Sequence, residues 1–210
     1  MARPRTPVLS TARIHAAALR IIDTDGLGGL SMRKLAAELG VQAASLYGHV
    51  SGKDDLVHEV VNTIMQGVDV STFERGDWRA GLRSWARSYR SVLTEHPNVV
   101  PFVAAGPARR PASLRAADAV HGALTGAGWP PRYATMIGAS IAYLVIGSAM
   151  GSFSRGFDDD VRTYTDRFPH LVDAPALRDH AEEIDAGSFE LALDAFLTGL
   201  EPLYAKVARD

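Results

Sequence analysis

The chain has 210 residues, 47% of them hydrophobic, with a formal net charge of −2. That length and composition suit one or two globular domains with a sizeable core. There is no cysteine, which excludes disulfides, thiolate metal sites and cysteine nucleophiles and fits a reducing cytoplasm.

In chain order, MARPRTPVLS is basic, with Arg3 and Arg5 set among Pro4 and Pro7 in what reads as an extended arm. No apolar stretch follows it, so it is not a signal peptide. A first helix is predicted from about Ser10 to Asp25, with Ile14, Ala17, Ala18, Ile21 and Ile22 as its apolar stripe. Gly26, Gly28 and Gly29 end it. Ser31 is placed to cap a second helix. Leu35, Ala36 and Leu39 share one face of that helix, and Gly40 tolerates the positive φ at which a helix-turn-helix bends. Val41 is apolar and fits the corner. A very short third helix, from about Gln42 to His49, buries Leu46 and Val50 and turns Gln42, Ala43, Ser45, Tyr47, Gly48 and His49 outward. Such a small, polar face fits the major groove of DNA. Ser51-x-x-Asp54 is a capping-box-like start for a fourth helix running to about Val70.

Further on, Trp78, Leu82, Trp85, Tyr89 and Val92 follow helical spacing, and Pro97 and Pro101 break the chain. A helix is predicted over 112–126, then a Gly128-Trp129-Pro130-Pro131 turn and a long apolar helix over 132–154. Within that helix, residues 136–153 carry no charge and approach membrane-span length; their Gly, Ala and Ser content favours a buried interface helix over a span. Residues 155–187, including Asp158-Asp159-Asp160, read as a polar loop with at most a short helix. A last helix over 188–208 carries Phe189, Leu193, Phe196, Leu200, Leu203 and Val207. No alternating strand pattern appears, so the fold is all-α: an N-terminal three-helix helix-turn-helix domain (1–58) joined to a larger helical domain (59–210).

The stretch GLGGLSMRKLAAELGVQAASLYGHVSGKDDLV resembles the DNA-binding domain of the tetracycline-repressor (TetR) family over about residues 10–60. The AAELGV turn, the LY-x-HV segment and the K-x-x-L that opens the fourth helix carry the likeness. GDWRAGLRSWARSYRSVLTEHPNVVPFV is similar to the ligand-binding domains of that family. The resemblance implies a dimeric, cytoplasmic repressor that binds double-stranded, pseudo-palindromic operator DNA and is released by a small-molecule effector. It assigns a phosphate contact to Tyr47. Position in the first turn of a helix suits Lys53, reinforced by the N–H groups at the fourth helix's start, and Arg33 to the same role, and His49 touches either the DNA backbone or only solvent. Base reading falls to Gln42, Ala43, Ala44, Ser45 and Gly48. Ala43 and Gly48 stand where the tetracycline repressor has glutamine and tryptophan, so the expected operator differs from the tetracycline operator.

The basic excess is small. Residues 1–65 hold seven Lys/Arg and six Asp/Glu, a balance of +1, and the remainder is at −3. DNA binding must then rest on where charges sit rather than on their sum.

Catalytic alternatives fail on their own chemistry. His58-Glu59-Val60-Val61-Asn62 departs from the zinc-protease HExxH motif at Asn62, where a second imidazole is needed. Gly138-Ala139-Ser140 lacks the strand that a nucleophile elbow requires, and Gly26-x-Gly28 lacks the strand of a dinucleotide loop. His96, His121, His170 and His180 share no ligand spacing. No enzymatic activity and no cofactor are expected.

In the larger domain Trp85, Tyr89, Phe102, Trp129, Met136 and Tyr143 are the candidate effector-lining residues. By register from Trp78, Phe102 falls where the tetracycline repressor has a magnesium-binding histidine, and Gly151 falls near its metal-linked glutamate. The resemblance therefore implies an apolar or aromatic effector bound without a metal. The helices over 132–154 and 188–208 are expected to pair two subunits as a four-helix bundle, with Gly147 and Gly151 allowing close approach.

Overall fold

The computed structural model describes residues 9–106, 110–152, 168, 170–171 and 179–208. Every regular element among them is helical. The α-helices are α1 (Thr11–Gly29), α2 (Met32–Leu39), α3 (Ala43–Leu46), α4 (Lys53–Met65), α5 (Trp78–Glu95), α6 (Val100–Ala104), α7 (Pro111–Gly126), α8 (Pro131–Ala149) and α9 (Ala181–Val207). Two 3-10 helices, Ser71–Arg75 and Pro97–Val99, lie between them. The chain forms two compact units, Met1–Gly67 with Asn98–Arg115 and Val68–Pro97 with Ala116–Asp210. The first division falls after α4, where the sequence places the boundary at 58/59; the last falls within α7.

In the first unit α1 buries the stripe read from its spacing: Ile14, Ala17, Ala18, Ile21 and Ile22. Ser10 Oγ caps it by accepting from the Arg13 N–H at 3.4 Å. At Gly26 (φ 73°) the backbone leaves helical geometry, as the glycines predict, but one further helical turn runs on to Gly29. That turn folds back so tightly that a Cβ on Gly29 would lie 2.4 Å from Asp25 Cβ. Ser31 then caps α2 by accepting from the Lys34 N–H at 3.2 Å. Gly40 ends α2 at φ 69°, its N–H directed at the carbonyls of Ala36 and Ala37, a left-handed cap.

Two expectations about α4 change. Gly52, extended at φ 171°, occupies the N-cap, and no side chain caps the helix; Ser51 lies one residue too early for its hydroxyl to close the box. The helix also stops at Met65 rather than Val70. Two amides anchor this unit from a distance. Asn98 Nδ2 donates to the Ile22 and Asp23 carbonyls at 2.9 Å each. Asn62 Oδ1 accepts from the Ala112 N–H at 2.8 Å.

In the second unit Asp77 caps α5 by accepting from the Arg79 and Ala80 N–H groups. Just before it, Asp69 makes a turn with the Ser71 N–H at 2.8 Å. The backbone and side-chain hydrogen bonds from Ser71 hold the Asp69 carboxyl below its usual pKa. The buried face of α5 is Leu82, Trp85, Ala86, Tyr89 and Leu93, and Val92 is only half-buried. The spacing that selects Val92 is a 3.5-residue repeat, and over four turns it drifts off the face of a straight 3.6-residue helix. The same drift explains α9, where Phe189, Leu193, Leu197 and Leu200 are buried while Phe196, Leu203 and Val207 are half-buried. Helix α9 starts at Ala181, earlier than predicted, and α8 ends at Ala149, earlier than predicted. The Asp158–Asp160 run and the Arg3/Arg5 arm lie outside the described residues.

Helices α5 and α9 are antiparallel and joined by a ladder of ion pairs. Arg79 meets Glu201 at 2.7 Å, Arg83 meets Asp194, and Arg87 meets Glu190 at 2.7 Å. The hydrogen bonds that Arg87 donates to the Glu190 carboxylate raise the Arg87 pKa above its usual value. Arg90 lies over the Phe189 ring at 5.0 Å. Pairs as exposed as these contribute about 0.2–1 kcal/mol each, so the ladder sets register more than stability. Among the described residues no helix is long and apolar enough to cross a membrane.

The tight return after α1 gives a direct test. Gly29→Ala places a methyl on Asp25 Cβ, an atom fixed one bond from the backbone, so the usual helical gain of alanine is outweighed. We expect a net loss of about 1–3 kcal/mol, measured as a lower urea midpoint. An unchanged or higher midpoint would show that the return is looser than described.

Candidate nucleic-acid interface and effector unit

Helices α2 and α3 with the Gly40 turn form a helix-turn-helix. Val41 N–H donates to the Ala36 carbonyl at 3.0 Å and closes the corner. Helix α3 is four residues long, and a hydrogen-bonded turn follows it, with the His49 and Val50 N–H groups both donating to the Leu46 carbonyl. Leu46 and Val50 are buried beneath it. Gln42, Ala44, Ser45, Tyr47, Gly48 and His49 are exposed, and Ala43 is half-buried. Tyr47 is 57% exposed, too open for a core residue. Arg33 is exposed in the first turn of α2, and Lys53 is half-buried as the first residue of α4. The structure thus places the nine candidate DNA-facing residues at the start of α2, around α3 and at the start of α4, all within one unit.

Sequence reasoning missed the ion pairs that surround this face. Lys34 Nζ meets Asp25 Oδ2 at 2.7 Å, Arg20 meets Glu38 at 3.3 Å, and His15 Nε2 meets Glu59 at 2.9 Å. All three join different helical segments, so no helical spacing announces them.

The effector candidates do not gather into one place. Trp85 and Tyr89 are buried on α5 and stacked, centroids 6.0 Å apart. Trp85 Nε1 is buried without a hydrogen-bond partner among the described residues. Trp129 is buried in a separate aromatic cluster, 5.4 Å from Trp78, 5.0 Å from Tyr204 and 6.2 Å from Tyr133. Phe102 belongs to the first unit, between the His58 ring at 4.8 Å and the Arg110 guanidinium at 5.4 Å. Met136 and Tyr143 are 51% and 75% exposed. They sit seven residues apart on the side of α8 away from Ile137, Ile141 and Val145, which are buried. Taken by itself, the second unit buries Trp85, Tyr89 and Trp129 and leaves Met136 and Tyr143 exposed. A solvent-open groove of about 510 Å³ runs along α5 instead, lined by Asp77, Arg79, Ala80, Arg83, Ser84 and Arg87.

The residues set aside as catalytic have plain structural roles. Asn62 holds the start of α7, and His58 packs edge-on against Phe102. The Ser140 hydroxyl donates to the Met136 carbonyl at 2.8 Å within α8. Among the described residues no three His, Asp or Glu side chains form a metal-sized group.

Comparison with known proteins agrees with this architecture. Residues 14–60 match the family described as bacterial regulatory proteins, tetR family, and residues 72–204 match the tetracyclin repressor-like C-terminal domain. An HTH-type transcriptional regulator from Saccharopolyspora erythraea is 32% identical over 175 residues, covering 81% of this chain and 74% of the relative. The crystal structure of a possible TetR family transcriptional regulator from Streptomyces coelicolor A3(2) superposes with a TM-score of 0.75 at 28% identity, covering 92% of this chain and all of the other. ActR of Streptomyces coelicolor in complex with actinorhodin superposes at 0.72 and 28% identity, covering 92% and 97%. The helix-turn-helix geometry and these matches lead to one conclusion: the chain belongs to the TetR family of DNA-binding, ligand-responsive transcriptional repressors.

Proposed function

We propose that this protein is a cytoplasmic, non-enzymatic repressor whose dimer binds a pseudo-palindromic operator and is released by an apolar or aromatic small molecule without a metal. The observation that carries the reading is the solvent-open face of α3. Tyr47 stands exposed over a buried Leu46, so its ring and hydroxyl are presented on the same open face as Gln42, Ser45 and His49. In this arrangement Tyr47, Lys53, Arg33 and His49 hold the phosphate backbone, and Gln42, Ala43, Ala44, Ser45 and Gly48 face the bases.

The second unit supports pairing through α8 and α9. Met136, Tyr143 and Met150 form an exposed apolar row at seven-residue spacing on or just beyond α8, and Leu191 is 73% exposed on α9. Gly147 is exposed in the same row, whereas Gly151 lies past the end of the helix. Leu200, the natural choice from sequence for breaking a dimer, is buried within the chain itself. A pair of recognition helices in successive major grooves reads a two-fold site that one four-residue helix cannot.

The effector reading rests on the buried Trp85–Tyr89 stack, which offers ring faces rather than metal-ligating lone pairs. It also rests on the small molecule held by the similar ActR structure. A ligand that favours the DNA-incompetent arrangement shifts the population off the operator.

Three measurements test this. Gel shifts with the protein's own upstream DNA should give a salt-dependent complex. Lys53→Ala should reduce the salt slope by about one unit and Tyr47→Phe should weaken binding across sequences, while changes at Ala43 or Gly48 alter which sequence is preferred. An unaltered slope for Lys53→Ala removes that residue from the interface. For assembly, Tyr143→Glu and Leu191→Glu should yield folded monomers in analytical ultracentrifugation that no longer shift operator DNA; variants that stay dimeric refute the α8–α9 interface. For the effector, aromatic candidates should change tryptophan fluorescence equally with and without a chelator, and a response that requires magnesium contradicts the metal-free reading.

A further inference from the structure

The first turn of α2 carries two adjacent cations, Arg33 and Lys34, behind the Ser31 cap. In a helix-turn-helix the first helix crosses the DNA backbone, so both are candidates for phosphate. Their surroundings differ. Arg33 is exposed and has no carboxylate partner among the described residues, while the Lys34 ammonium is 2.7 Å from the Asp25 carboxylate. We infer that Asp25 is a positioning residue that withholds Lys34 from the operator backbone, so that α2 offers the DNA one available cation rather than two. This rests on the operator-binding reading above.

An exposed ion pair is ordinarily a weak constraint. Here Lys34 and Asp25 are 46% and 40% exposed at the side chain, and the pair alone would not hold against a phosphate. Asp25, however, is fixed by its backbone. Gly26 turns the chain at φ 73° directly after it, and Gly29 folds back so far that any Cβ there would strike Asp25 Cβ. The backbone and Cβ of Asp25 are therefore held beside the start of α2 whether or not Lys34 stays on the carboxylate. If Lys34 left for a phosphate, it would expose an anion close to the DNA. The two residues act as a neutral unit, and a neutral unit releases no counterion from DNA. The Arg20–Glu38 pair, with Glu38 four residues along α2 from Lys34, neutralises a second cation in the same unit. Together the pairs take up Asp25 and Glu38, two of the six carboxylates in residues 1–65.

The test is a double-mutant cycle read by fluorescence anisotropy between about 50 and 200 mM salt. It uses a duplex from the protein's own upstream region and a scrambled duplex of equal length. Wild type, Asp25→Asn, Lys34→Ala and the double variant are compared. Asp25→Asn should steepen the salt slope by about one unit on both duplexes and tighten binding several-fold at about 0.1 M salt. Lys34→Ala alone leaves the Asp25 anion uncompensated and should weaken binding on both duplexes, and the double variant, neutral again at this position, should return to the wild-type slope. If Asp25→Asn fails to melt cooperatively by circular dichroism, Asp25→Ser replaces it in the same cycle. Three results overturn the inference: a double variant whose slope is flatter than the wild type's, an Asp25→Asn gain that persists without Lys34, or no gain at all. In each of these the wild type still binds DNA and the operator reading stands. A wild type that binds neither duplex overturns that reading, and this inference with it.

Discussion

The DNA-facing side of this protein depends on the burial of Leu46. Helix α3 has four residues, and a single turn of helix costs more in ordered backbone than its hydrogen bonds return. It exists only because Leu46 is fully buried and Val50 nearly so. Removing about one leucine's worth of apolar surface from water contributes roughly 1.5–3 kcal/mol, enough to hold one turn against fraying. Everything outward of it follows. Tyr47 is turned out because Leu46 is turned in, and Gln42, Ala44, Ser45, Gly48 and His49 form a surface because the helix has no second face to bury. The Gly40 cap upstream and the extended Gly52 downstream are the two backbone devices that let so short a helix enter and leave at sharp angles.

The second unit solves a different problem with long elements. Helix α5 buries Leu82, Trp85, Ala86, Tyr89 and Leu93 on one face and sets Arg79, Arg83 and Arg87 along another. The arginines meet Glu201, Asp194 and Glu190 of α9 in antiparallel order. Because each pair is half-exposed, the ladder adds little net stability. A slip of α9 by one turn would break all three pairs at once, however, so they select one register. That register turns Leu191 outward and Phe189, Leu193 and Leu197 inward. The aromatic cluster of Trp78, Trp129, Tyr133 and Tyr204 fastens the far end, where the Tyr204 hydroxyl donates to the Ala127 carbonyl.

Much of this was legible in the sequence, for reasons that are local. The stripe of α1, the Ser31 cap, the Gly40 turn and the burial of Leu46 and Val50 all depend on neighbours within a turn or two. Where a 3.5-residue count was extended over several turns it picked Val92 and Phe196 in place of Leu93 and Leu197, because the error of each turn accumulates. The burial of the candidate effector residues was not legible. Side-chain type marks an aromatic as apolar, but only packing decides whether it lines an interior, as Trp85 does, or projects outward, as Tyr143 does. Met136 and Tyr143 are on the outer side of a helix whose apolar composition gives no inward direction by itself. The Ser51 capping box failed for the opposite reason: the motif was present, and the conformation of Gly52 moved the helix start past it.

Charge in the first unit is the least legible property of all, and it bears most directly on DNA affinity. A count of Lys and Arg treats Arg20, Arg33, Lys34 and Lys53 alike. The fold does not: Arg20 and Lys34 face carboxylates brought to them by α2 and by the segment before Gly26, while Arg33 is exposed and Lys53 is half-buried at the start of α4. Counterion release responds to cations that reach phosphate without bringing an anion along. The electrostatic part of operator binding is therefore set by backbone turns at Gly26 and Gly29 as much as by the basic residues themselves. A regulator that must leave its operator when an effector supplies only a few kcal/mol of coupling works best when that sequence-independent attraction is modest. Pairing Arg20 and Lys34 with carboxylates is a way to keep it so, and it leaves the base-facing surface of α3 a correspondingly larger share in deciding where the protein sits.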